Sequence, residues 1–226
     1  MRKYPFQRLI GALMYLAVST RPDIAYAVNF LSQFNTNYST EHWLAAKRIL
    51  RYLRGTEGHS LMYQKSDIPL YGVVDADWGA NTVDRRSYFG YAFILAEAAI
   101  CWEARKQRTV ALSSVEAEYM AMSEATKEAI YLQGLLRDTV RPCDGTILFN
   151  DNQGAQRLVY STGVHHSRTK HIDLRHHFIR DHCASGAIEL QYMSTNDMPA
   201  DILTKGLTGP KHIQCQDGLG MIELRE

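Results

Sequence analysis

The sequence predicts an α/β fold, a mixed sheet with helices packed on its faces, preceded by a small helical segment. Three observations carry this. Apolar residues recur at helical spacing over the first 54 positions, three β-rich stretches follow closely from Leu70, and beyond them helical and strand-like segments alternate.

The first section reads as three helices. Phe6 to Ala17 aligns Leu9, Leu13 and Leu16, and Pro22 to Ser32 aligns Ile24, Val28 and Leu31 behind a first-turn proline. Thr40 to Arg54 aligns Trp43, Ala46, Ile49, Leu50 and Leu53 and stops at Gly55. The stretch Gly55 to Pro69 holds glycine, a short apolar strand (Leu61 to Tyr63) and a polar break at Ser66-Asp67, which marks a boundary between 1–65 and 66–226. Strands are then expected at Tyr71 to Val74, Gly90 to Leu95 and Ala99 to Glu103, and a long helix from Ser114 to Asp138. A strand at Thr146 to Phe149, a short helix from Asn152, a helix from Ile172 to Ala184, a strand at Ile188 to Tyr192 and a last helix from Asp197 or Pro199 complete the chain.

Composition narrows the function classes. Formal net charge is only +1, so affinity for nucleic acid must come from local clusters. Residues 1–58 hold eight basic side chains against three acidic ones, a pattern that fits either a nucleic-acid face or a solvated helix surface. The four cysteines are widely separated and contain no C-x-x-C pair, which argues against a disulfide framework and a structural zinc site. No apolar run approaches the roughly 20 residues that cross a bilayer, so a soluble chain with no membrane partner is expected. The opening segment imitates a signal peptide, with basic residues, an apolar stretch from Leu9 to Val18 and small residues after it.

Four acids carry the chemistry. Asp75 follows the strand Tyr71 to Val74, and Asp151 follows the strand that begins at Thr146. Parallel neighbouring strands would bring the two together at the carboxyl edge of the sheet, where open α/β sheets bind ligands. Glu118 lies in the first turns of the long helix and Asp201 near the start of the last one. Carboxylates gathered in this way repel one another unless they are protonated or hold cations. Two magnesium ions about 4 Å apart would resolve the repulsion and suit in-line phosphodiester displacement. Glu116 is set aside because Ser113 to Glu116 fits a capping box, which leaves Glu118, about 200° further round the helix, to face the cleft. Asp77 is an alternative to Asp75, two residues further on.

The blocks VVDADWGANTVDRRSYFGYAFIL, ALSSVEAEYMAMSEATKEAIYLQGLL, FNDNQGAQRLV, HHSRTKHIDLRHHFIRDH and MPADILTKGL resemble, in order, the ribonuclease H domain of copia-type retrotransposon Pol polyproteins. YPFQRLIGALMYLAVSTRPDIAYAVNFLSQF and HWLAAKRILRYLRGT resemble the thumb-like segment that joins the reverse transcriptase to that domain. On this resemblance the apolar opening is an internal helix of a longer polyprotein. The resemblance implies a ribonuclease H-like mixed five-stranded sheet and cleavage of the RNA strand of RNA/DNA hybrids. It assigns Asp75, Glu118, Asp151 and Asp201 as catalytic metal ligands for two Mg2+ ions, with Mn2+ as a substitute. The implied partners are the hybrid and the rest of the Pol polyprotein, in the cytoplasm or in virus-like particles. The sequence departs from the family at Tyr88 and Phe89, where small hydroxyl residues are common, and Tyr192 to Met198 lacks the histidine that cellular ribonucleases H carry there. No Y-x-D-D polymerase signature is present.

Candidate substrate contacts lie around the acids. Arg168, Lys170 and His171 enter a helix where cations and free amides can hold phosphates, although a surface patch without a ligand would look the same. Six of the nine histidines fall between residues 165 and 182, but their spacing is unlike a zinc site. Asn152 and Gln153 either reach the minor groove, where 2′-hydroxyls mark RNA, or, for Asn152, simply cap the short helix. Trp78, Trp102 and Tyr119 fit core or cleft wall. Two competing functions remain, a catalytically silent nucleic-acid-binding remnant and a nuclease of the same fold acting on DNA alone.

Overall fold

The structure is a computed structural model, and it describes residues 4–81, 84–139, 145–160 and 170–224. Three helices come first, α1 (Phe6–Ser19), α2 (Ala25–Ser32) behind a 3-10 turn at Pro22–Ile24, and α3 (Thr40–Gly55). The Ser39 hydroxyl caps α3 by accepting from the His42 amide, and the His42 ring returns the contact to the Ser39 amide. A short strand β1 (His59–Leu61) leads into β2 (Tyr71–Asp77), β3 (Tyr88–Leu95) and β4 (Ala98–Lys106). The remaining elements are α4 (Ser114–Thr139), β5 (Thr146–Asn150), α5 (Gln153–Tyr160), α6 (Lys170–Ala184), β6 (Ile188–Tyr192), α7 (Gly209–Gly218) and β7 (Met221–Glu223).

Five strands form one mixed sheet in the order β4-β3-β2-β5-β6, antiparallel through β2 to β4 and parallel from β2 through β5 to β6. This is the ribonuclease H-like architecture implied by the resemblance. Alternate residues of each strand face opposite layers. Val74, Phe89, Tyr91, Phe93 and Leu148 pack under α4, α5 and α6 with Tyr119, Met122, Ala125 and Ile179. On the other face Val73, Ala92, Ile94 and Ala99 share a core with Phe6, Ile10, Leu13, Val28 and Ile49 of the first three helices. Residues from both sides of position 65 therefore fill one core. Strand β1 also pairs with β7, tying that region to the end of the described chain.

The C-terminal segment differs from the expected last helix. It forms two 3-10 turns, Thr195–Asp197 and Pro199–Leu203, before α7 begins at Gly209. All five residues from Pro199 to Leu203 are buried, so the segment has no solvent face of the kind an amphipathic surface helix carries. Gly90 makes room for it: a Cβ there would collide with the Leu203 side chain, and Gly90 is the partner of Asp75 across the β2–β3 ladder. Tyr88 and Phe89, the departures from the family pattern, divide between the layers. Tyr88 sits edge-on to Tyr26 at 5.1 Å under the N-terminal helices, and Phe89 lies in the opposite core beneath Arg105.

Candidate metal centre

The site lies at the sheet edge where the pairing of β2 with β5 stops at Val74 and Asn150. The next residue on each strand is an acid, Asp75 on β2 and Asp151 just beyond β5. Glu118 approaches from the first turns of α4. The local cap explains its direction: the Glu116 amide donates to Ser113 Oγ at 3.1 Å, and the Glu116 carboxylate accepts from the Leu112 amide at 2.8 Å. The return bond of the expected box thus reaches Leu112 rather than Ser113, and Glu116 is turned away from the cleft. One carboxylate oxygen from each of Asp75, Glu118 and Asp151 lies within 4.8 Å of the others, the one such cluster of metal-ligating groups among the described residues. Asp77 is outside this cluster.

Asp201 is buried beside these acids but is reached through an ammonium. Lys205 Nζ lies 2.8 Å from Asp201 Oδ1 and 3.4 Å from Asp75 Oδ2, and Lys211 Nζ lies 3.4 Å from Asp201 Oδ2. Thr204 Oγ1 donates a very short hydrogen bond to Asp75 Oδ2. The 3-10 turn at Pro199–Leu203 places this whole group, since Asp201 lies within it and Thr204 and Lys205 follow directly. Sequence reading missed Lys205 and Thr204, although a lysine four residues after the acid was an available signal.

Asn150 was missed as well. It is fully buried, and its Nδ2 donates to Glu118 Oε2 at 2.9 Å and to the Val74 carbonyl at 3.3 Å, while its Oδ1 accepts from the Asn152 amide. Thr195 Oγ1 donates to Asp151 Oδ2 at 2.6 Å. Each clustered acid is thus oriented by a neutral donor.

Electrostatics follow from burial. Burial pushes the Asp75 carboxyl up to about 6; Lys205 and the Thr204 hydroxyl pull it down, and Asp201 and Asp151 push it up further. Glu118 is raised well above the ordinary glutamate range, first by burial and then by Asp75 and Asp151. Burial alone would lower Lys205, but the Asp75 and Asp201 carboxylates outweigh it and raise the ammonium above its usual value. A divalent cation relieves such crowding, and an all-oxygen donor set suits a hard ion.

The candidate nucleic-acid contacts divide. Asn152 Oδ1 accepts from the Ala155 amide at 2.9 Å and so caps α5. Gln153 is exposed beside Gln156, Arg157, Tyr160 and Tyr192. Arg168 lies outside the described residues, as do the side chains of Lys170 and His171. Trp78 is half exposed with its indole donating to the Ala111 carbonyl, Trp102 donates to the Ala17 carbonyl, and Tyr119 is buried.

Two curated relatives align along most of the chain. The retrovirus-related Pol polyprotein from transposon TNT 1-94 of Nicotiana tabacum is 42% identical over 221 residues, 98% of this chain, and that from transposon RE1 of Arabidopsis thaliana is 42% identical over 205 residues, 90% of it. The chain belongs to the copia-type Pol polyproteins. It spans only 17% and 14% of the lengths of those two relatives. A stretch of 140 residues is also 48% identical to the secreted RxLR effector protein 161 of Plasmopara viticola, covering 99% of that protein. No protein-family model matches the sequence. Among solved structures, a foamy viral protease-reverse transcriptase in complex with dsDNA superposes with a TM-score of 0.50 at 14% identity, covering 84% of this chain and 38% of that one. The ribonuclease H1 LC11 superposes with a TM-score of 0.46 at 13% identity, over 60% of this chain and 92% of that one. In this copia-type Pol segment the acidic cluster is compatible with a divalent ion, and no helix among the described residues is long and apolar enough to cross a membrane.

Proposed function

We propose that this copia-type Pol segment is a ribonuclease H that hydrolyses the RNA strand of RNA/DNA hybrids with two Mg2+ ions, Mn2+ serving as a substitute. The single observation that carries the reading is the convergence of Asp75, Glu118 and Asp151 within 4.8 Å at the carboxyl edge of a mixed sheet. On this reading those three would hold one cation, and Asp75 with Asp201 the other. When bound, the pair supplies an activated water and stabilises the leaving oxygen of the scissile phosphodiester. The chain's own residues fix the ligands beforehand: Asn150 holds Glu118, Thr195 holds Asp151 and Thr204 holds Asp75. Asn152, Gln153, Arg168, Lys170 and His171 would contact the hybrid, with residues 1–65 as the thumb-like end of the reverse transcriptase and 66–226 as the nuclease domain. The whole would work beside the polymerase, in the cytoplasm or in virus-like particles.

The test is cleavage of a strand-labelled RNA/DNA hybrid in Mg2+, with duplex DNA and duplex RNA in parallel, compared with Asp151→Asn. Cutting of the RNA strand of the hybrid alone, abolished in the variant, is expected. Binding without cutting by the unmodified chain would replace this reading with that of a silent nucleic-acid-binding remnant, and cutting of duplex DNA with that of a DNA nuclease.

A further inference from the structure

Strand β4 (Ala98–Lys106) ends the five-stranded sheet, and among the described residues no strand pairs with its outer edge. Such an edge offers a row of backbone donors and acceptors to any further strand. A hollow of about 350 Å³ runs across it. Its walls come from both faces of the sheet: Trp102 and Ala104 with Val18 of α1 on one side, Glu103 and Arg105 with Glu128 of α4 on the other. Val18 is 64% exposed, which leaves an apolar side chain at the rim.

Alternation sorts the side chains of this strand between the faces. Arg105 Nη1 lies 3.0 Å from Glu103 Oε1, and its guanidinium stands 5.3 Å from the centre of the Phe89 ring, on the α4 face. Trp102 turns the other way, its indole donating to the Ala17 carbonyl of α1 at 2.8 Å. Charges on an edge ordinarily repel a further strand. Here Glu103 and Arg105 stand with opposite signs on either side of Ala104, so an antiparallel strand of the same sequence can meet each with its complement.

A two-fold axis normal to the sheet makes paired strands antiparallel and keeps each face on its own side. Residues opposite one another must point to the same face, so the axis has to pass between one residue and its own copy. Centred on Glu103 or on Arg105, it would set like charges against each other. Centred on Trp102, it would oppose Glu103 to the second copy's Cys101. Centred on Ala104, it opposes Glu103 to the second copy's Arg105 twice over, and Trp102 to the second copy's Lys106, which brings an ammonium to an indole ring. We infer that the outer edge of β4 is a self-pairing surface, at which a second copy of this chain docks antiparallel about Ala104 and continues the sheet. Asp75 pairs with Gly90 and Gly90 with Ala104, so the acids lie two strands in from the contact. The Asp75 positions of the two copies would then be five strand spacings apart, roughly 24 Å. The pairing does not depend on the nuclease reading.

The experiment is sedimentation of the full chain over a concentration series, for the unmodified protein, Arg105→Glu, the charge swap Glu103→Arg/Arg105→Glu, and Ala104→Cys, with thermal unfolding to establish that each is folded. A reversible dimer is expected. Arg105→Glu sets like charges opposite one another and should weaken it by about tenfold, and the swap should restore it to within about threefold. In Ala104→Cys the two new thiols face each other across the axis, with Cα atoms roughly 4.5–5.5 Å apart, within the reach of a disulfide. Mild oxidation should therefore give a covalent dimer on a non-reducing gel, absent from the unmodified chain treated in the same way. This small substitution decides the matter if the charge variants fail to fold. A chain that stays monomeric at every concentration and gives no covalent dimer as Ala104→Cys would overturn the inference. So would a dimer that Arg105→Glu leaves intact, or one that the swap does not restore.

Discussion

Lys205 Nζ sits 2.8 Å from Asp201 Oδ1 and 3.4 Å from Asp75 Oδ2, so the ammonium bridges two buried carboxylates, the pair assigned to the second ion in the proposed two-metal reading. Without metal this lysine is the counter-ion that lets both acids stay buried. Removing one member of such a pair leaves uncompensated charge. Lys205→Gln should therefore lower stability in EDTA by about 2 kcal/mol at neutral pH. It should also enlarge the gain in melting temperature on adding Ca2+, because the ion no longer competes with an ammonium. Thermal unfolding with and without Ca2+ checks both. An equal calcium shift in the variant and the unmodified chain would show that the lysine does not oppose ion binding.

The raised carboxyls set a pH dependence. Asp75 titrates at about 6 in the folded chain against an ordinary value of 3.8, and Glu118 is also raised. Between those two values for Asp75 the native state binds more protons than the unfolded chain, so this contribution to stability is present at acid pH and is lost as pH rises through the folded value. Asp75→Asn removes it. In EDTA the variant should gain on the unmodified chain as pH rises from about 4 to 6 and be more stable at pH 7 by roughly 1–3 kcal/mol. Denaturant unfolding across this range provides the measurement, and a pH-independent difference between the two proteins would count against a raised Asp75. Excess Ca2+ should cancel or reverse the advantage, since the ion stabilises the ionised cluster.

Asn150 supports Glu118 from a fully buried position at the end of β5. Replacing it with leucine strands the Val74 carbonyl, the Asn152 amide and one Glu118 oxygen without their partners. The expected cost is about 2–4 kcal/mol, from unsatisfied buried groups rather than from reduced volume. Hybrid cleavage by the protein that remains folded should fall by an order of magnitude or more, because outer partners of metal ligands typically contribute 10- to 100-fold. Full activity in a stable Asn150→Leu would show that Glu118 needs no such support.

Much of this site is legible in the sequence because Asp75, Glu118 and Asp151 stand near the ends of regular elements. Asp75 and Asp151 can be matched across two parallel strands, and the Ser113 cap separates Glu116 from Glu118 by helical angle alone. Other features depend on contacts between distant residues. Thr204 and Lys205 reach Asp75 only because Gly90 admits Leu203, a packing relation between residues more than a hundred positions apart. The turn carrying Asp201 is buried on all sides and has no period to read, so its sequence looks like a helix start. Three-residue strands such as β1 and β7 are too short to show alternation, and their pairing is invisible for the same reason.

The N-terminal helices share the core on one face of the sheet with the Pro199–Leu203 turn, which bears on where the chain can be divided. Val73, Ala92, Ile94, Ala99, Met198 and Leu203 share a core with Phe6, Ile10, Leu13 and Val28, and Tyr88 packs against Tyr26 and Phe30. A fragment comprising 66–226 would expose this apolar layer and leave β7 without its partner β1. Contiguous exposed patches of that kind promote association. The fragment should therefore aggregate or bind a hydrophobic dye when expressed alone, while the full chain stays monodisperse. A milder change at the same seam isolates the packing. Tyr88→Ala empties a fully buried ring site and should cost about 3–5 kcal/mol in denaturant unfolding, with the acidic cluster unaltered and Ca2+ still raising the melting temperature. A monodisperse, cooperatively folding 66–226 would show that the helices are an appendage to a self-sufficient domain, and a Tyr88→Ala cost below about 1 kcal/mol would show that the seam packs loosely.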